Sequence, residues 1–136
     1  EAGELSAALT AKAIDIIYLI APTTTPERMK NICANATGYV YYVSLKGVTG
    51  ASNIDIDSVR EKVSEIRQYT DLPVSVGFGI KDNESAKAVS QVADGVVVGS
   101  ALVNNMAELG EGGINDVDQY AKQAVQLIAN MRKAID

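Results

Sequence analysis

The sequence predicts an α/β fold built on a parallel sheet, and three observations predict it. Apolar, β-prone runs alternate with stretches of helical periodicity along all 136 residues. The first run, Ile14-Asp15-Ile16-Ile17-Tyr18-Leu19-Ile20, is almost continuously apolar, as a strand covered on both faces requires. Three later runs stop abruptly at bare, glycine-containing loops: Gly47-Val48-Thr49-Gly50-Ala51, Gly77-Phe78-Gly79-Ile80 and Gly99-Ser100-Ala101. Strands that end this way can gather backbone amides at one rim, which is how α/β barrels hold a phosphate.

The elements follow in order. Leu5, Ala8, Leu9 and Ala13 lie at helical spacing, so a helix is predicted from about residue 4 to 12. The strand Ile14–Ile20 comes next, with Asp15 a candidate buried carboxylate of structural role at its N-terminal end. Thr25 then caps a helix that has Pro26 in its first turn and Glu27 at the positive end of its dipole. Met29, Ile32, Cys33 and Ala36 form its apolar stripe. The second strand is Tyr39–Ser44. Ser58 with Glu61 reads as a capping box, and Val59, Val63 and Ile66 supply that helix's buried face. The third strand is Pro73–Val76, followed by a short helix from Asp82 or Asn83 that carries Ala86, Val89 and Val92. Gly95–Val98 is the fourth strand. A short helix from Ser100 ends where Gly110-Glu111-Gly112-Gly113 breaks it. Val117, Tyr120, Ala124, Ile128 and Met131 define the terminal helix. No linker or low-complexity tract interrupts residues 1–136, so one unit without an internal boundary is expected.

One helix followed by four strand–helix units can form an open doubly wound sheet or part of a barrel. A (β/α)8 barrel takes about 250 residues. Four strands make half of a (β/α)8 barrel, with two unpaired edges and an uncovered inner face. Such a half is expected to be a piece of a longer chain or to be completed by a second copy.

Composition bounds the chemistry. The net charge is −5 and the cations are scattered, which disfavours nucleic acid and anionic lipid as partners. No run has the ~18 uncharged apolar residues of a membrane helix. A single cysteine, Cys33, excludes an internal disulfide and suits a reducing, cytoplasmic setting. Its place on a helix stripe reads as core. With no histidine and one cysteine, the usual zinc ligand set is missing, and no metal is expected. Acid–base chemistry would fall to Asp, Glu, Lys or Tyr. The carboxylates Asp55, Asp57, Glu61 and Glu65 read as a solvated helix face.

The candidate site residues each have a plainer reading. Gly77 and Gly79 could be turn glycines only, but Gly99-Ser100 ending the next strand favours a shared phosphate role. Glycine lets the chain come close to a dianion, and a helix beginning at Ser100 aims its free N–H groups at it. Thr49 and Gly50 could be an ordinary loop tip. Tyr39 and Tyr41 share one face of their strand, where they could fill a barrel core or line a pocket; the pocket is favoured for Tyr41.

Taken together, several stretches resemble the tryptophan synthase alpha subunit family: Tyr18-Leu19-Ile20-Ala21-Pro22-Thr23-Thr24 with Glu27-Arg28-Met29, Gly38 to Ser44, Gly47 to Ala51, Gly77 to Ile80, and Gly99 to Val103. The order and spacing agree along the whole chain, and the set is more specific than any lone Gly-X-Gly. The match covers only the C-terminal half of the family's barrel, strands five to eight. The resemblance implies a lyase of tryptophan biosynthesis that cleaves indole-3-glycerol phosphate to indole and glyceraldehyde 3-phosphate. It implies phosphate amides at Gly50, at Phe78 and Gly79, and at Gly99 and Ser100. It further implies a pocket-lining Tyr41 and a loop-closing Thr49 that bonds a catalytic aspartate.

The resemblance places both catalytic acids in elements before residue 1, so the isolated segment is expected to lack lyase activity. Leu45-Lys46 departs from the family's frequent arginine after the strand-six serine. No cofactor is implied on this chain; pyridoxal phosphate belongs to a partner beta subunit in an alpha2-beta2 complex. The alternative is a non-catalytic phosphate-binding half barrel that self-associates. A weaker one is another phosphate-binding barrel, related to indole-glycerol-phosphate synthase or thiamine-phosphate synthase.

Overall fold

The computed structural model describes residues 3–44, 55–77, 79–113 and 116–136. Its elements are α1 (Gly3–Thr10), β1 (Tyr18–Ile20), α2 (Pro26–Asn35), β2 (Val40–Val43), α3 (Ile56–Ile66), β3 (Val74–Gly77), α4 (Asn83–Ser90), β4 (Gly95–Val97), α5 (Ser100–Glu111) and α6 (Val117–Ile135). The four strands are parallel and lie in the order β1-β2-β3-β4. Every crossover therefore advances in one direction. A doubly wound sheet reverses its strand order at a switch point; this sheet does not, and it takes the barrel side of the choice.

Strand register sorts the side chains. Ile20, Tyr42, Val76 and Val96 share one rung, and Tyr18, Val40 and Val74 share the rung two residues earlier. Because residues two apart point to the same face, these side chains share the helix-covered face of the sheet. Ile20, Val40, Val74 and Val76 are fully buried there, against Met29, Val63, Ile66 and Val89. Cys33 joins this core, where burial pushes its thiol pKa up. Tyr42 is buried too; burial first, then the nearby Glu65 charge, raises its phenol pKa.

The rung between holds Leu19, Tyr41, Ser75 and Gly95, which face the other way. Leu19 is 59% exposed. The expectation that the first strand is covered on both faces is thus corrected: helices cover one face only. The strand is also shorter than expected, because Ala13 turns the chain with φ 54° and Ile14 stays exposed. Asp15 lies outside the strand and is exposed, so it is not a buried carboxylate.

Local signals hold elsewhere with three corrections. Thr25 accepts from Arg28 N with Pro26 at the helix start, as predicted. The cap of α3 is Asp55, whose carboxylate accepts from Ser58 N at 3.1 Å, and Ser58 is inside the helix rather than its cap. An aspartate that reaches N3 satisfies an orphan amide one turn earlier than the serine could. α5 runs through Gly110 to Glu111 and ends at Gly112. In α6, Ala124 and Met131 are buried, whereas Val117 is exposed. Of the acidic residues of α3, Asp57 pairs with Arg60 at the surface, but Glu65 is partly buried against Lys62 at 2.8 Å, so the expected solvated face does not extend to it.

Candidate active site at the C-terminal rim of the sheet

Strand exits define the rim. Val43, Gly77 and Val97 form the last shared rung. Gly79 and Gly99 each lie two residues beyond it, so β3 and β4 release their glycine turns at the same level. Gly79 has φ +77°, a left-handed conformation that costs a residue with a Cβ about 1–2 kcal/mol. After it the chain is steered into α4. Ser85 Oγ accepts from Asp82 N at 3.2 Å while Asp82 accepts from Ser85 N at 2.8 Å, a reciprocal capping box. The Ser85 hydroxyl and amide hold the Asp82 carboxyl below its usual pKa.

Gly99 opens α5, a 12-residue helix that has no side-chain cap. The carbonyl of Gly99 accepts from Leu102 N and Val103 N. A Cβ built on Gly99 would meet nothing within 4 Å. The first amides of the helix, at Ser100 and Ala101, have no intrahelical acceptor. The Ser100 hydroxyl is exposed at the same place. An uncapped helix start next to open space is a kind of place where an oxyanion can bind.

Tyr41 reaches the rim from two rungs below. A Cβ at Gly77 would lie 2.4 Å from Tyr41 Oη and 2.8 Å from Tyr41 Cε2, so the phenol ring lies across Gly77. Ser75 Oγ occupies the matching place over Gly95, 2.5 Å from where its Cβ would be. Glycine is needed at both positions because a neighbour's side chain already fills the space. Beside them, an open cavity of ≈ 420 Å³ at the exits of β1 and β2 is lined by Leu19, Ala21, Thr23, Thr24, Arg28 and Val43.

The rim therefore brings together Tyr41, Gly79, Gly99 and Ser100. Thr49, Gly50 and Phe78 lie outside the described residues, as do Leu45 and Lys46. Sequence reasoning missed the seat that Gly77 makes for Tyr41. It also missed Ser44, the buried polar side chain at the end of β2. A serine that closes an apolar strand was the available signal. Among the described residues no cluster of three His, Cys, Asp or Glu could hold a metal ion, and no helix is long and apolar enough to cross a membrane.

The family model described as Tryptophan synthase alpha chain matches residues 1–135. The chain belongs to the tryptophan synthase alpha chain family. It is 52% identical to the tryptophan synthase alpha chain of Thioalkalivibrio sulfidiphilus, over all of this chain and 50% of that one. Identity to the Marinobacter nauticus alpha chain is 46%, over all of this chain and 49% of the relative. Among solved structures, tryptophan synthase subunit alpha from Legionella pneumophila superposes with a TM-score of 0.83 at 36% identity; all of this chain and 48% of that chain are covered. A tryptophan synthase from M. tuberculosis in an aminoacrylate-bound form gives 0.78 at 29% identity, with 46% of that chain covered. The chain spans about half the length of the alpha chains it matches, and its four parallel strands correspond to half of their TIM barrel.

Proposed function

We propose that this chain supplies the substrate-anchoring half of an indole-3-glycerol-phosphate lyase of the tryptophan synthase alpha type. In this reading the phosphate lies against amides of Gly79, Gly99 and Ser100, with Gly50 and Phe78 completing the set, and Tyr41 lines the pocket for the indole end. Thr49 closes over the substrate. The two catalytic acids come from the other half of the barrel, so this chain alone has no lyase activity. Anchoring a remote phosphate still matters, since that binding energy orients the reacting end. No organic cofactor is held here; pyridoxal phosphate belongs to the beta subunit with which the complete alpha chain pairs.

One observation carries the proposal. Two glycine turns leave adjacent strands at one level, one with φ +77° and the other opening an uncapped helix onto empty space. The last two strands of a barrel are the usual seat of a phosphate. Calorimetric titration with glycerol 3-phosphate tests the anchoring role. A chimera that adds the preceding half of the Thioalkalivibrio relative tests the chemistry. Binding by the chain, with cleavage only in the chimera, is expected; a silent titration or an inert chimera would refute the assignment. In the active chimera, Thr49→Val should lower turnover more than it weakens phosphate binding. Equal losses would remove Thr49 from loop closure.

A second reading rests on the uncovered sheet face. Leu19 and Tyr39 are exposed on it, and β1 and β4 are open edges. A non-catalytic half barrel that pairs with its own copy would cover both. Sedimentation that shows a discrete dimer unable to yield an active chimera would favour this alternative.

A further inference from the structure

Ser44 ends β2 and is only 7% exposed, a buried polar residue at the rim. Both of its donors converge on one acceptor. Ser44 N and Ser44 Oγ each donate to the carbonyl of Gly77, both at 3.1 Å. The amide bond continues the β2–β3 ladder beyond the last paired rung. The hydroxyl bond is additional, and it uses the second lone pair of the same carbonyl.

Gly77 is the last residue of β3, and two residues later Gly79 turns with φ +77°. A carbonyl lies in a planar peptide, so holding it from two directions holds the plane. That plane belongs to the peptide through which β3 leads on in sequence towards the glycine turn. The same Gly77 seats the Tyr41 ring. A rotation of its peptide would therefore disturb the turn and the ring together.

We propose that Ser44 is a positioning residue for substrate binding: its hydroxyl locks the Gly77 carbonyl and so holds the Gly79 turn ready to receive a phosphate. This rests on the rim being the phosphate site. Ser44 itself touches no substrate; it acts through Gly77.

Removal of the hydroxyl should be mild for folding, because Gly77 keeps its bond from Ser44 N. The test is calorimetric titration of the full chain with glycerol 3-phosphate, paired with thermal melts. Ser44→Ala should bind roughly three- to tenfold more weakly, the span one ordinary hydrogen bond covers, with little change in melting temperature. Ser44→Thr, which keeps the hydroxyl, should restore affinity. Should Ser44→Ala not fold, Ser44→Cys takes its place under the same criterion, since a thiol is a weak donor of similar size. Wild-type affinity in the variant that lacks the hydroxyl overturns the proposal, as does an equal loss in Ser44→Thr. A wild-type chain that ignores glycerol 3-phosphate overturns the rim assignment and this role with it. The failures are thus told apart by whether the wild type binds.

Discussion

The two ends of this sheet are built from opposite materials. At the N-terminal end, a side chain latches the approach to β4. Asp94 accepts from Val74 N at 2.9 Å through one oxygen and from Arg67 Nη2 at 3.0 Å through the other, tying the approach to β4 onto β3 and the end of α3. The Val74 amide, with a smaller share from Arg67, holds the Asp94 carboxyl below its usual pKa. At the C-terminal end, glycines leave the strands, α5 starts without a cap and Gly99 faces empty space. One end uses a side chain to hold the strands together; at the other, the start of α5 keeps its backbone donors free. Barrels separate stability from chemistry along the strand axis in this way. Substitutions at the base should therefore change stability and leave phosphate affinity alone, with the reverse at the most open point of the rim.

The largest effect is expected where the rim is packed rather than open. Gly77→Ala places a methyl group 2.4 Å from Tyr41 Oη, so the ring must move. Overpacking of this kind costs about 1–3 kcal/mol, readable by urea denaturation, and the displaced Tyr41 should weaken substrate binding as well. A Gly77→Ala, Tyr41→Ala double variant should regain part of the lost stability, as neighbours that clash are non-additive. Strict additivity would mean that the ring does not sit over Gly77.

Asp94→Ala should cost about 1–3 kcal/mol by leaving Val74 N without its acceptor, while glycerol 3-phosphate affinity stays at the wild-type level. The Arg67 pair adds little, since both side chains are about half exposed. Asp94→Asn keeps an acceptor for Val74 N and should lose less. Any loss of phosphate affinity in either variant would break the division between base and rim.

Gly99→Leu makes the opposite case. Its φ of −119° lies outside the left-handed region that favours glycine, and its Cβ enters open space. Stability should hold within about 0.5 kcal/mol, as for an unencumbered surface change. Phosphate affinity should fall at least tenfold, or about 1.4 kcal/mol, because the side chain would occupy the place proposed for the anion. Unchanged affinity would move the site away from α5.

How much of this was legible in the sequence depends on the range of the interaction. Thr25-Pro26-Glu27 announced α2 because a cap and its helix are neighbours in sequence, and the stripe Met29, Cys33 found its core. The glycine turns were visible for the same reason. Ser58-Glu61 misled because Asp55, three residues earlier, competes for the same first turn and reaches Ser58 N. The continuous apolar run Ile14–Ile20 predicted a long buried strand, but periodicity cannot say which face a four-stranded sheet leaves uncovered, and Leu19 lies on that face. Contacts between strands were out of reach. Tyr41 over Gly77 and Ser44 on the Gly77 carbonyl join residues more than thirty positions apart. They follow from a register that no local pattern encodes.

The smallest effect expected is acid sensitivity, and it sharpens the contrast because one depressed carboxyl sits at each end. Asp94 is at the base, and Asp82 caps the helix after the rim turn. A carboxyl held lower in the folded state than in the unfolded chain contributes stability that is fully present above the unfolded value, near pH 4. That contribution is lost as pH falls through the folded-state value. Both therefore make stability depend on pH only in acid, and neither makes it vary between pH 6 and 8. Asp94→Asn should flatten the acid limb of a stability–pH curve measured by denaturant titration. Asp82→Asn, at an exposed cap, should flatten it less while slightly lowering the plateau. A larger change from Asp82 than from Asp94 would show that the turn after β3, and not the latch before β4, holds the sheet together at low pH.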